Sequence, residues 1–120
     1  MINLSDLVYE SGKVENISIF SKDERDIDGV LISFEAISVF ITVDIESDEI
    51  LLLEAIPDNF RTLLGIYALQ DCIGANLQWA WFMDNQQNYR DGIRLEFDNG
   101  LIYELVAIAS SLKILRVHEV

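Results

Sequence analysis

Apolar and polar residues alternate with a period of two along most of this chain, the spacing of strands with one buried face. "KVENISIF" (13–20) is rich in β-branched residues and reads as a strand. After the polar turn "SKDERDIDG", "VLISFEAISVFITVDI" sets Ile37, Val39, Ile41 and Val43 against Ser38, Thr42 and Asp44, with Glu35-Ala36 at a hairpin tip. "ILLLEAI" is continuously apolar, which predicts a buried strand. "LQWAWFM" places Leu77, Trp79, Trp81 and Met83 on one face. Bulky aromatics on such a face are expected in the core, with Phe82 pointing the other way. "IRLEF", "DNG" and "LIYELVAI" form the clearest hairpin, since Asn99-Gly100 suits a primed turn that requires positive φ. "LKILRVHEV" reads as a terminal strand.

Two segments leave this period. In "INLSDLVYESG", Ser5 can cap a short helix that Gly12 stops. In "NFRTLLGIYALQDCIG", Phe60, Leu63, Leu64, Ile66 and Tyr67 recur with helical spacing behind Pro57 and the capping residue Asp58. Gly65 can split that helix and Gly74 can end it. The predicted fold is α+β: a mostly antiparallel sheet of about six to seven strands in hairpins, one central helical segment and a short N-terminal helix. "DGVLISFEAISVF" and "DGIRLEFDNGLIY" look alike, as the halves of an ancient duplication would, or two hairpins obeying the same turn rules.

Composition narrows the picture. With 120 residues, 51% of them hydrophobic, and one proline, a single domain (1–120) with one core is expected. The formal charge of −13 makes the phosphate contribution repulsive, so neither nucleic acid nor an anionic membrane is an expected partner. Eleven carboxylates lie between Asp23 and Asp58 against Arg25 alone. The group Asp44, Glu46, Asp48 and Glu49 is a candidate face for a basic protein partner. "MINLSDLVYE" lacks the basic start and apolar run of a signal peptide, and the expected location is cytoplasmic.

Candidate chemistry is sparse. Cys72 is the only cysteine, which excludes an intrachain disulfide and a thiolate metal cluster. "ERDIDGVLISFE" matches a calcium loop at Asp26, Asp28, Gly29, Leu31 and Glu35. Glu24 stands where a shorter Asp is needed, however, and the following residues read as strand rather than helix. No metal or cofactor is expected. His118 is the only histidine and has no nucleophile beside it in sequence, so no catalytic residue is assigned.

The strongest polar feature follows the tryptophans. In "DNQQNYRDG", Asn85, Gln86, Gln87 and Asn88 offer donors and acceptors, Tyr89 adds a ring with a polar tip, and Arg90 and Asp91 add charge. These side chains can bind a ligand, or close a turn around Gly92. The run "WAWFMDNQQNYRDGIRLEF", with "IASSLKILRV" after it, resembles a family of short bacterial proteins of unknown function. The resemblance rests on Trp79, Trp81, Asn85, Gln86, Gln87, Tyr89, Asp91, Gly92 and Phe97 and is strongest over the C-terminal third. Asn88 stands where the pattern leads one to expect glycine. The resemblance implies no activity.

Small size, acidity and the lack of catalytic machinery favour a non-enzymatic protein-interaction module of immunity or inhibitor type. The alternative is a small polar-ligand domain or minor enzyme centred on Asn85 to Asp91, with Trp79 or Trp81 in the pocket wall. The terminal strand could also pair with a second copy, although Lys113 and Arg116 are charges that protect an edge.

Overall fold

The period-two segments form two antiparallel sheets, which a computed structural model describes for residues 2–118. A short helix, α1 (Leu4–Glu10), precedes β1 (Val14–Ser21), β2 (Gly29–Phe34), β3 (Ser38–Asp44), β4 (Glu49–Leu53) and β5 (Arg61–Thr62). These strands build a five-stranded sheet in the order β4-β3-β2-β1-β5. The second sheet runs β6 (Leu77–Asp84), β7 (Arg90–Phe97), β8 (Ile102–Ile108) and β9 (Ser111–Arg116) as a simple meander. The chain is thus mostly antiparallel sheet with one α-helix, but with nine strands among the described residues rather than six or seven. Each of the look-alike "DG" segments opens a hairpin, β2–β3 and β7–β8.

The two sheets share one apolar core. Ile17, Ile19, Val30, Ile32, Ile41 and Leu52 of the first sheet are buried in one cluster with Ile93, Leu95, Phe97 and Leu105 of the second. Polar ties fix the sheets at their margins. The buried Asp28 carboxylate accepts the Lys22 N–H at 2.7 Å and the Ser111 hydroxyl at 3.2 Å, and Leu112 N–H donates to Ile27 C=O at 2.8 Å. Each of these bonds satisfies a group that burial would otherwise leave unpaired.

The central segment is not a helix. It contains β5 and one 3-10 turn, Gln70–Cys72, and its backbone bends through positive φ at Gly65 (83°) and Leu69 (67°). The open edge of β1 offers this segment better partners than its own helix would. Phe20 and Ser21 pair with Thr62 and Arg61, and Leu63 N–H donates to Ile19 C=O at 2.8 Å. The Phe60 ring packs edge-on against Phe40, with centroids 4.9 Å apart, and Phe40 does the same to Phe20 at 5.5 Å. Phe40 lies across Gly29, where any Cβ would overlap its ring, so glycine is required for this packing.

Other local expectations shift by a residue or a turn type. Asn3, not Ser5, caps α1, accepting the Ser5 N–H at 2.8 Å, and Gly12 at φ +79° carries the chain out of the helix. Strand β4 alternates, with Ile50 and Leu52 buried and Leu51 and Leu53 half-buried, because it ends its sheet instead of lying inside it. At the "DNG" turn only Gly100 has positive φ. Gly100 N–H bonds Phe97 C=O and Phe97 N–H bonds Leu101 C=O, a type I turn closed by a glycine bulge. The primed two-residue turn occurs at Ala109–Ser110, with φ of 51° and 68° and no glycine. The terminal strand ends at Arg116; Glu119 and Val120 lie outside the described residues. Among the described residues no helix is long and apolar enough to cross a membrane.

Candidate functional site

The loop after β6 is closed by its own amides. Asn85 Oδ1 accepts the N–H groups of Gln87 (2.8 Å) and Tyr89 (3.1 Å), Asn85 N–H donates to Tyr89 C=O, and Asn88 N–H donates to Asn85 C=O. The backbone pairing repeats that of the "DNG" turn. Asn88, at φ 66°, occupies the place that Gly100 holds there. Asn tolerates the left-handed region better than most residues, so it can stand where glycine would otherwise be expected. Asp91 Oδ2 is 3.5 Å from Asn85 Nδ2. Asn85 and Asp91 are therefore turn-building residues, while Gln86, Gln87 and Tyr89 present their side chains to solvent.

The acidic group sits in the β3–β4 turn and is largely engaged. Asp44 Oδ1 accepts the Glu46 N–H, Asp48 Oδ1 accepts the Ser110 N–H at 2.9 Å, and Glu49 Oε2 accepts the Arg90 N–H at 3.2 Å. Asp48 and Glu49 thereby bind the first sheet's turn to the second sheet, and Asp48 steadies the strained Ala109–Ser110 turn. Of the four, Glu46 is the one fully exposed side chain.

The tryptophans lie opposite to expectation. Trp79 is 50% and Trp81 43% exposed, on the outer face of the second sheet. A β-bulge is the cause. Leu77 pairs with Phe97 and Trp79 with Glu96, so Gln78 is an extra residue that reverses the alternation. Leu77 is buried, yet beyond the bulge Ala80 and Phe82 face inward and both tryptophans face out. On the neighbouring strand, the Arg94 guanidinium lies 5.6 Å from the Trp81 ring centroid and bonds Glu96 (2.9 Å) and Glu104 (3.0 Å). The hydrogen bond that Arg94 donates to Glu96, and then the one it donates to Glu104, hold it more firmly protonated than a free guanidinium. Tyr9 of α1, also exposed, stands beside Trp79 at the edge of this face.

A cleft of about 790 Å³ opens on the other side of β6. The whole of β4, Glu49 to Leu53, forms one wall, and Ile2, Asn3, Leu4, Phe82 and Arg90 form the other. The Arg90 guanidinium sits 4.8 Å from the Phe82 ring centroid.

The remaining candidates resolve as structural groups. Glu35 accepts the Lys13 N–H at 2.7 Å, and Asp28 is engaged by the Lys22 N–H and the Ser111 hydroxyl, so the calcium-loop carboxylates serve separate purposes. Among the described residues no three His, Cys, Asp or Glu side chains are grouped to hold a metal ion. Burial, with the Asp71 charge adding to it, pushes the Cys72 thiol up to about 12, which leaves it unreactive at neutral pH. The exposed tryptophan face is the feature that alternation alone concealed. The sequences "LQWAWFM" and "IRLEF" carry no sign of the bulge, because Leu77, Trp79 and Trp81 could pair with Phe97, Leu95 and Ile93 in unbroken alternation.

No curated protein and no solved structure matches the chain. A family model does, over residues 1–120, and the chain belongs to that family of unknown function (DUF6334).

Proposed function

We propose that this chain is a non-enzymatic protein-interaction module whose contact surface is the outer face of the second sheet. The observation that carries this reading is the exposure of Trp79 and Trp81 together on one regular sheet face. Each leaves a large aromatic area in water, and buried tryptophans are among the side chains that contribute most to protein interfaces. Arg94, Glu96 and Glu104 surround them with a preformed charged network that needs little ordering on contact. The net charge of −13 favours a basic protein partner and speeds its approach. A stoichiometric role of inhibitor or immunity type follows from binding without turnover.

The reading of Asn85 to Asp91 as a polar-ligand site has weaker support, because the Asn85 carbonyl oxygen already serves two backbone N–H groups. The test is capture of partners from the source cell's lysate, then titration calorimetry with each purified candidate. The wild type is compared with Trp79→Ser/Trp81→Ser and with Glu46→Gln. One-to-one binding that the double tryptophan variant loses supports the reading. A partner that binds the tryptophan variant unchanged, or no partner at all, overturns it.

A further inference from the structure

Four strand edges bound the two sheets, and three are closed. The first sheet ends on one side in the two-residue β5. Below it, the free margin of β1 is met by Gly74 N–H to Val14 C=O, Val14 N–H to Ala75 C=O and Gln70 Nε2 to Ile17 C=O. In the second sheet α1 lies against β6, and β9 carries the exposed charges Lys113 and Arg116. Short edges, covering elements and edge lysines are the usual protections against unwanted pairing. Strand β4 has none of them: its sequence is Glu-Ile-Leu-Leu-Leu. Among the described residues its backbone makes no hydrogen bond beyond its ladder with β3.

The cleft lies along this open edge. Successive strand residues point to opposite faces, so a groove over one face would touch only alternate residues. All five from Glu49 to Leu53 line it. We infer that β4 is a strand-addition site that takes up an extended apolar segment carrying basic residues from a partner protein. The main chain would supply the unpaired hydrogen bonds of a ladder about 17 Å long, at roughly 3.4 Å per residue. Its side chains would alternate between the face of Leu51 and Leu53 and the inner face, where Ile50, Leu52 and Phe82 lie. A basic residue is specified by Glu46, the exposed carboxylate in the turn at one end of β4. A second copy of this chain is a poor occupant, since each would bring a charge of −13. The inference does not depend on the tryptophan face, because Phe82 points into the groove from the strand whose Trp79 and Trp81 point away.

The test uses the full chain, labelled with nitrogen-15, and a pool of synthetic eight-residue peptides. These have Val, Ile or Leu at alternate positions and lysine at both ends. Two control pools carry either methyl groups on every second backbone nitrogen or glutamate in place of lysine. The lysine pool is expected to shift the amide signals of Glu49 to Leu53 and slow their hydrogen exchange at alternate residues, with the indole signals of Trp79 and Trp81 unmoved. Both control pools should bind at least tenfold more weakly, and Glu46→Gln should weaken the lysine pool severalfold. Failure of the lysine pool to bind, or shifts confined to residues outside β4 and its cleft, would overturn the inference. So would equal binding of the methylated pool, which would mark the groove as a side-chain pocket only.

Discussion

Two kinds of surface carry the conspicuous side chains of this molecule, and they are built in opposite ways. In the turns Asp44–Glu49 and Asn85–Asp91, the side-chain oxygens of Asp44, Asp48, Glu49 and Asn85 are hydrogen-bonded to the protein's own backbone. On the outer face of the second sheet, large aromatic area is left open to water. A carboxylate or amide already holding an N–H group has little to offer a second molecule, because binding would have to replace a bond already made. The exposed part of an indole gives up only its contact with water. The turns therefore keep the shape of the molecule, and the sheet face is available for recognition.

Substitutions on the two surfaces should separate stability from binding. The largest effect is expected for Trp79→Ser/Trp81→Ser: partner affinity falls by at least about 2 kcal/mol, as loss of a tryptophan hot spot does. Its melting temperature should stay within a few degrees of wild type, as calorimetry would show. Next comes Asn85→Ala, which strips the acceptor from Gln87 and Tyr89 N–H. It should destabilise by about 1–2 kcal/mol in urea unfolding, with partner affinity unchanged. Asp48→Ala should cost about 1 kcal/mol through the orphaned Ser110 N–H and the left-handed backbone at φ 58°. Asp48→Asn, which keeps an acceptor and tolerates that backbone, should restore most of the loss. The smallest effect belongs to Asn88→Gly, expected to lie within about 0.5 kcal/mol of wild type, whereas Asn88→Val should be clearly destabilised. If Asn85→Ala instead leaves stability intact and abolishes binding, the two surfaces have been assigned the wrong way round.

Much of the architecture was legible because it depends on local rules. Alternation placed the strands, Gly12 stopped the helix, and the "DG" segments opened hairpins. Three features depended on distant partners and were not legible. The segment from Phe60 to Gly74 has helical spacing, but the free edge of β1 and the ring of Phe40 hold it extended. The apolar run in β4 resembles an interior strand, yet the cleft beside it makes it an edge. The single extra residue Gln78 turns both tryptophans from the core to the surface, and periodicity read from "LQWAWFM" alone continues straight through it. The candidate residues Asn85, Asp91, Asp44, Asp48 and Glu49 were conspicuous in the sequence for their polarity. Their structural use appears only when the backbone groups they satisfy are known.

The two tryptophans are the only ones in the chain, so intrinsic fluorescence reports on them alone. Acrylamide quenching of the free protein is the measurement to make first. Water-like, red-shifted emission that is readily quenched is expected if Trp79 and Trp81 both lie on the open sheet face. Blue-shifted emission resistant to quenching would place them in the core and contradict the proposed contact surface.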